Sequence, residues 1–119
     1  MILNKFYKDY FKKYNHLLIN ENLENNLLAF EDIVKEVKKN NSKLIFAGNG
    51  ASASISAHGA VDFSKQAKIK SLTFNEANLI TCLSNDYGYE NWVSEALNIY
   101  ANSNDAVILI SVSGESLNL

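Results

Sequence analysis

The sequence predicts an α/β protein: an open parallel sheet with helices between its strands, preceded by two helices. Three observations predict it. Apolar runs of strand length recur at Lys43 to Ala47, Ser71 to Phe74 and Ala106 to Ile110. They do not alternate with polar residues, which suits strands covered on both faces. Between them lie segments of helical spacing, and ahead of them lie two amphipathic stripes.

The first stripe is Leu3, Phe6, Tyr7, Tyr10, Phe11, Tyr14, Leu17 and Leu18, at three- and four-residue steps along one helix. The second is Leu23, Leu27, Phe30, Ile33, Val34 and Val37. Lys35, Lys38 and Lys39 gather near its end, where cations favour the helix dipole. Asn40 to Ser42 stops it. The helical pair therefore occupies 1–40 and the α/β core 43–119, within one domain. Inside the core, helices are expected over Ala53 to Lys65, Ala77 to Leu83 and Glu90 to Ala101, as right-handed crossovers between the strands.

Composition narrows the function classes. The chain has 119 residues, 47% hydrophobic and 20% charged, which is enough for one folded domain. Its formal charge is -2, with lysine as its basic residue type, so no broad basic face is available for nucleic acid. No apolar stretch approaches the roughly 20 residues of a membrane-spanning helix, and no export signal opens the chain. Cys82 is the one cysteine and has no internal disulfide partner. Together these read as a cytoplasmic protein that binds small molecules or other proteins.

Ligands of open α/β sheets sit beyond the carboxyl ends of the strands, where helix N-termini point. Two loops qualify. "GNGASAS", Gly48 to Ser54, offers two glycines for close backbone approach, with Ser52 and Ser54 in a first helical turn. "SVSGESLN", Ser111 to Asn118, repeats the design of strand, hydroxyls, glycine, hydroxyl. Each loop also reads as ordinary turn chemistry. Together they suit a phosphate and the hydroxyls of a sugar. Gly48, Gly50 and Ala53 also fit the G-x-G-x-x-A spacing of a dinucleotide site, with Glu76 as the nearest candidate for its ribose-binding acid. A P-loop is excluded because no G-K-[ST] follows the glycines.

"GNGASASISAH", "LSNDYGYEN" and "ISVSGESLN" resemble the three signature segments of sugar isomerase (SIS) domains, and most closely those of the phosphoheptose isomerase group. The resemblance runs from the first helix to the last residue. It implies a flavodoxin-like three-layer αβα sandwich with a parallel sheet. It further implies conversion of sedoheptulose 7-phosphate to a heptose 7-phosphate, in heptose biosynthesis for lipopolysaccharide. Relatives that bind a phosphosugar without turnover leave a regulatory module as the alternative. A dinucleotide-binding half-domain is the second alternative.

By resemblance, Asn49, Gly50, Ala51 and Ser52 contact substrate, with Ala51 where many relatives carry glycine. Asn85 and Asp86 match a pair that holds sugar hydroxyls; by themselves they read as a turn opening before Gly88. Ser111, Ser113 and Ser116 match phosphate-binding serines, and Val112 stands where threonine is frequent. His58 and Asp62, four apart on one helix face, match the catalytic pair, acid and base for proton transfer between neighbouring carbons. They also read as a residue packed under the loop or at a subunit contact, and a solvated carboxylate. Some relatives hold zinc on this pair and on two further ligands near the C-terminus. Asp62 takes a glutamate's place and is one methylene shorter, roughly 1.5 Å of lost reach, where about 1 Å of misplacement can cost a hundredfold in rate.

The resemblance also implies further strands and helices after Leu119, with a histidine and a glutamine of the site among them; the chain reads as a partial domain with an open sheet edge. His16 reads as a polar residue at a helix end. The first helix has more large rings than a peripheral helix needs. They suit either packing on the sheet or a subunit interface, and the resemblance implies a homotetramer. Tyr89 and Trp92 read as core or interface residues.

Overall fold

The computed structural model describes residues 2–18 and 21–119. Their packing divides into two units, Met1–Ile33 and Val34–Leu119.

The first unit holds α1 (Ile2–Leu18) and the start of α2 (Glu21–Lys39). On α1, Phe6, Tyr7, Tyr10, Phe11 and Tyr14 are each more than half exposed. Phe6, Tyr10 and Tyr14 stack in a row, each pair of ring centroids 6.4 Å apart, because they recur at the four-residue step. The side chains of Leu3 and Leu18, which the stripe includes, lie outside the described residues.

The second unit runs β1 (Lys43–Gly48), α3 (Ala51–Lys65), β2 (Lys70–Thr73), α4 (Ala77–Tyr87), a 3-10 turn (Tyr89–Asn91), α5 (Trp92–Tyr100) and β3 (Ala106–Ile110). The three strands are parallel in the order β2-β1-β3. β1 is central and buried on both faces, which is why its sequence is a continuous apolar run. Ile45 and Ala47 face Leu83 of α4 and Trp92, Val93 and Ala96 of α5. Leu44 and Phe46 face Ala60 of α3 and Val37 of α2. Helices thus cover both faces, giving three layers.

The unit boundary falls at 33/34 rather than at 40, because Val34 and Val37 at the end of α2 pack into this core. β3 also differs from the expected fully covered strand: its burial alternates, with Val107 41% and Leu109 43% exposed. β3 is a sheet edge, and the face carrying these two residues lies beyond the cover that α4 and α5 give β1. At the opposite end of the strands, Asp105 joins β3 to β1. Its carboxylate accepts hydrogen bonds from the Lys43 backbone N–H at 2.9 Å, the Asn102 N–H at 2.7 Å and the Lys43 ammonium.

Candidate functional site

β1 and β3 are neighbours although β2 comes between them in sequence: the connection after β1 leads to β2 on one side, and the connection after β2 returns past β1 to β3 on the other. Such a switch point is where open α/β sheets take ligands. Gly48 pairs with Ile110 in register, and the two loops therefore emerge side by side.

The first loop is held tight. A Cβ at Gly48 would stand 2.7 Å from the Ser52 carbonyl group, closer than real side chains come. Gly50, at φ 55 and ψ -123, supplies the backbone shape that starts α3, and no side chain caps the helix among the described residues. Ser52 and Ala53 then donate to Asn49 O and Gly50 O, each at 3.0 Å. Ser52 is buried and Ser54 is exposed.

The second loop curls around its hydroxyls. Ser111 Oγ accepts from Gly114 N at 3.0 Å and lies 3.3 Å from Ser116 Oγ and 3.5 Å from Ser113 Oγ. Ser113 Oγ accepts from Glu115 N at 3.2 Å. Asn49, Ala51, Ser52, Ser111, Val112, Ser113 and Ser116, all predicted from sequence, line one cleft of about 320 Å³ together with Ile110. None of these side chains titrates. The cleft presents neutral hydroxyl and amide groups, a chemistry of binding rather than of acid and base.

A larger groove of about 470 Å³ runs along α3 and β2. Its hydroxyls are already committed: Ser64 donates to Ser71 O, Ser71 to Ile69 O and Thr73 to Asn75 Oδ1. Besides these it offers a ligand apolar surface and the Lys65 side chain.

The other predicted residues lie elsewhere. His58 and Asp62 meet each other, Nε2 to Oδ2 3.3 Å, with side chains 80% and 53% exposed. His58 is thus not packed under the loop. The pair sits seven and eleven residues beyond Ala51, roughly 10 and 16 Å along α3 at its rise per residue, and is absent from the cleft lining. Among the described residues, no group of three or more His, Cys, Asp or Glu side chains could hold a metal ion. His58 and Asp62 are two ligands without a third, so the described residues do not fit the zinc site. His16 lies in the last turn of α1.

Asn85 and Asp86 form the last turn of α4 rather than a loop, since the helix continues to Tyr87 before Gly88 turns at φ 90. They bond to each other, Nδ2 to Oδ1 2.9 Å, and do not line the cleft. Glu76 caps α4 by accepting from Leu79 N at 2.9 Å. That bond and the Asn78 backbone N–H hold its carboxyl below the usual carboxylate range. Glu76 is therefore committed to its helix rather than free for a ribose. Trp92 is core, as expected, but Tyr89 is exposed and donates to Asn49 Oδ1 at 3.1 Å.

Sequence reasoning missed Asn118. It is buried and exchanges two amide hydrogen bonds with Asn49, 2.8 and 3.0 Å. No sequence signal links positions 69 residues apart. Its inclusion in the third signature segment was the available clue.

No family model matches the chain. Among curated proteins it is similar to phosphoheptose isomerase of Aneurinibacillus thermoaerophilus, 32% identical over 93% of this chain and 63% of the relative. It is also similar to phosphoheptose isomerase of Helicobacter pylori, 30% identical over 83% of this chain and 55% of the relative. The chain thus spans less than two thirds of these relatives. In fold it matches the solved structure of phosphoheptose isomerase from Neisseria gonorrhoeae, TM-score 0.79 at 22% identity, covering 98% of this chain and 62% of that one. With three signature segments in order and relatives at this identity over most of its length, the chain is phosphoheptose-isomerase-like in sequence and in fold.

Proposed function

We propose that the cleft between the β1 and β3 loops binds a phosphosugar, and that the protein is a ketose/aldose phosphate isomerase acting on sedoheptulose 7-phosphate. One observation carries the reading: four hydroxyl side chains and Asn49, from loops about 60 residues apart, line one cleft at the switch point. In this reading the Ser111, Ser113 and Ser116 hydroxyls take the phosphate, and Asn49, Gly50, Ala51 and Ser52 meet the sugar. His58 and Asp62 transfer the proton between neighbouring carbons, and Asn85 and Asp86 bind sugar hydroxyls. Assembly of copies would bring these groups to a cleft they do not reach in one chain. The exposed aromatic row of α1 is the surface we assign to that assembly, a homotetramer by resemblance. A cytoplasmic place in heptose supply for lipopolysaccharide rests on the same resemblance; no described helix is long and apolar enough to cross a membrane.

Titration calorimetry with sedoheptulose 7-phosphate, alongside an assay for the aldose product, tests the reading. Saturable binding that Ser113→Asp removes, with product formed, supports it. No binding at millimolar ligand ends it. The exposure of His58 and Asp62, away from the cleft lining, favours a second reading, a SIS module that binds the phosphosugar without turning it over. Binding with no product after long incubation of the assembled protein would select it.

A further inference from the structure

We propose that Asn118, together with Tyr89, is a positioning residue that sets what Asn49 presents to the cleft. The ligand in this inference is the phosphosugar of the reading above; the geometry stands apart from it. Asn49 Oδ1 accepts from Asn118 Nδ2 at 3.0 Å and from the Tyr89 hydroxyl at 3.1 Å, which occupies both of its lone pairs. Asn49 Nδ2 spends one N–H on Asn118 Oδ1 at 2.8 Å. Its second N–H has no protein partner among the described residues. Toward a ligand Asn49 is therefore a donor, suited to a phosphate, carbonyl or hydroxyl oxygen.

The reciprocal pair also couples the two rims. Asn118 stands two residues past Ser116, and the next residue, Leu119, returns its N–H to Ser116 O at 3.0 Å. Asn118 is thereby tied to the serine cluster while its amide grips the loop after β1. Two matched hydrogen bonds resist rotation of either carboxamide alone, since turning one would set oxygen against oxygen and nitrogen against nitrogen. At 6% exposure Asn118 has little water to replace a lost partner. Tyr89, from the turn after α4, adds a third element to the same atom.

Two measurements on the full chain test this. The first is the side-chain amide signal of Asn49 in ligand-free, 15N-labelled protein. Tyr89→Phe and Asn118→Ala should each shift it and speed its hydrogen exchange, Asn118→Ala more. An unchanged Asn49 signal in Tyr89→Phe, whose exposed ring keeps the fold, overturns the proposal. The second is affinity for sedoheptulose 7-phosphate. Tyr89→Phe should weaken it about threefold to tenfold with an unchanged thermal midpoint, and should have no further effect in an Asn49→Ala background. Additive losses in that cycle would overturn the proposal, because a residue acting through Asn49 has nothing to act on once its amide is gone. If wild-type protein shows no saturable binding, the phosphosugar reading fails, and the Asn49 signal alone decides the positioning role.

Discussion

His58 and Asp62 face each other across one turn of α3, Nε2 to Oδ2 3.3 Å, on a surface open to solvent. An exposed pair of this kind contributes about 0 to 1 kcal/mol to stability. Asp62→Asn should therefore leave the thermal midpoint nearly unchanged. If the pair is catalytic, the same substitution removes isomerisation while sugar-phosphate binding persists. Unchanged turnover would take Asp62 out of the mechanism.

Asp62→Glu adds the methylene that the resemblance associates with this position. In an active assembly it should raise turnover by roughly tenfold or more. Steady-state kinetics on the two proteins checks this, and an equal or slower rate would show that carboxylate reach is not what limits the reaction.

Asp105 anchors the base of the sheet, with its side chain 4% exposed. Burial by itself raises its pKa, but the hydrogen bonds from the Lys43 ammonium, Asn102 N–H and Lys43 N–H outweigh this and hold the carboxyl below its ordinary value of 3.8. Its contribution to stability is therefore full well above pH 3.8 and is lost as the pH falls through the lower folded value. Asp105→Ala should cost about 3 kcal/mol at neutral pH. Denaturant melts at several pH values should show the difference from wild type shrinking toward the acid end.

The two glycines of the first loop should differ in severity. Gly48→Ala sets a methyl group 2.7 Å from the Ser52 backbone, where nothing flexible can give way. It should cost about 3 kcal/mol or more and disturb the cleft. At Gly50 an added methyl meets open space, so the cost is conformational alone, about 1 to 3 kcal/mol. Chemical denaturation of both variants gives the order.

Each cleft hydroxyl should matter on the scale of one hydrogen bond. Ser111→Ala, Ser113→Ala and Ser116→Ala are each expected to weaken phosphosugar binding about fivefold, roughly 1 kcal/mol. Their mutual contacts at 3.3 and 3.5 Å make the losses non-additive in combination.

Legibility in the sequence followed the range of the interactions. β1 and the loop after it were readable because a run buried on both faces must be apolar throughout, and because the turn at Gly48 excludes any larger residue. The inward side of α3 was readable from its period, but its outer side was not: His58 and Asp62 have the right spacing to pair, and spacing says nothing of distance from the cleft. Asn85 and Asp86 looked like a turn because Gly88 follows closely; the left-handed glycine instead ends a helix that reaches Tyr87. Asn118 was illegible as a partner of Asn49, since that contact exists only once β1 and β3 lie side by side.

The strand order β2-β1-β3 also has a consequence in time. During synthesis the loop after β1 emerges long before the serines that face it, and the cleft has both its rims only once β3 has docked beside β1. A ligand held between those rims would therefore favour chains in which β3 has docked over those in which it has not, by about 2.7 kcal/mol at a hundred times Kd. Ligand binding and the docking of β3 would then be linked, each strengthening the other.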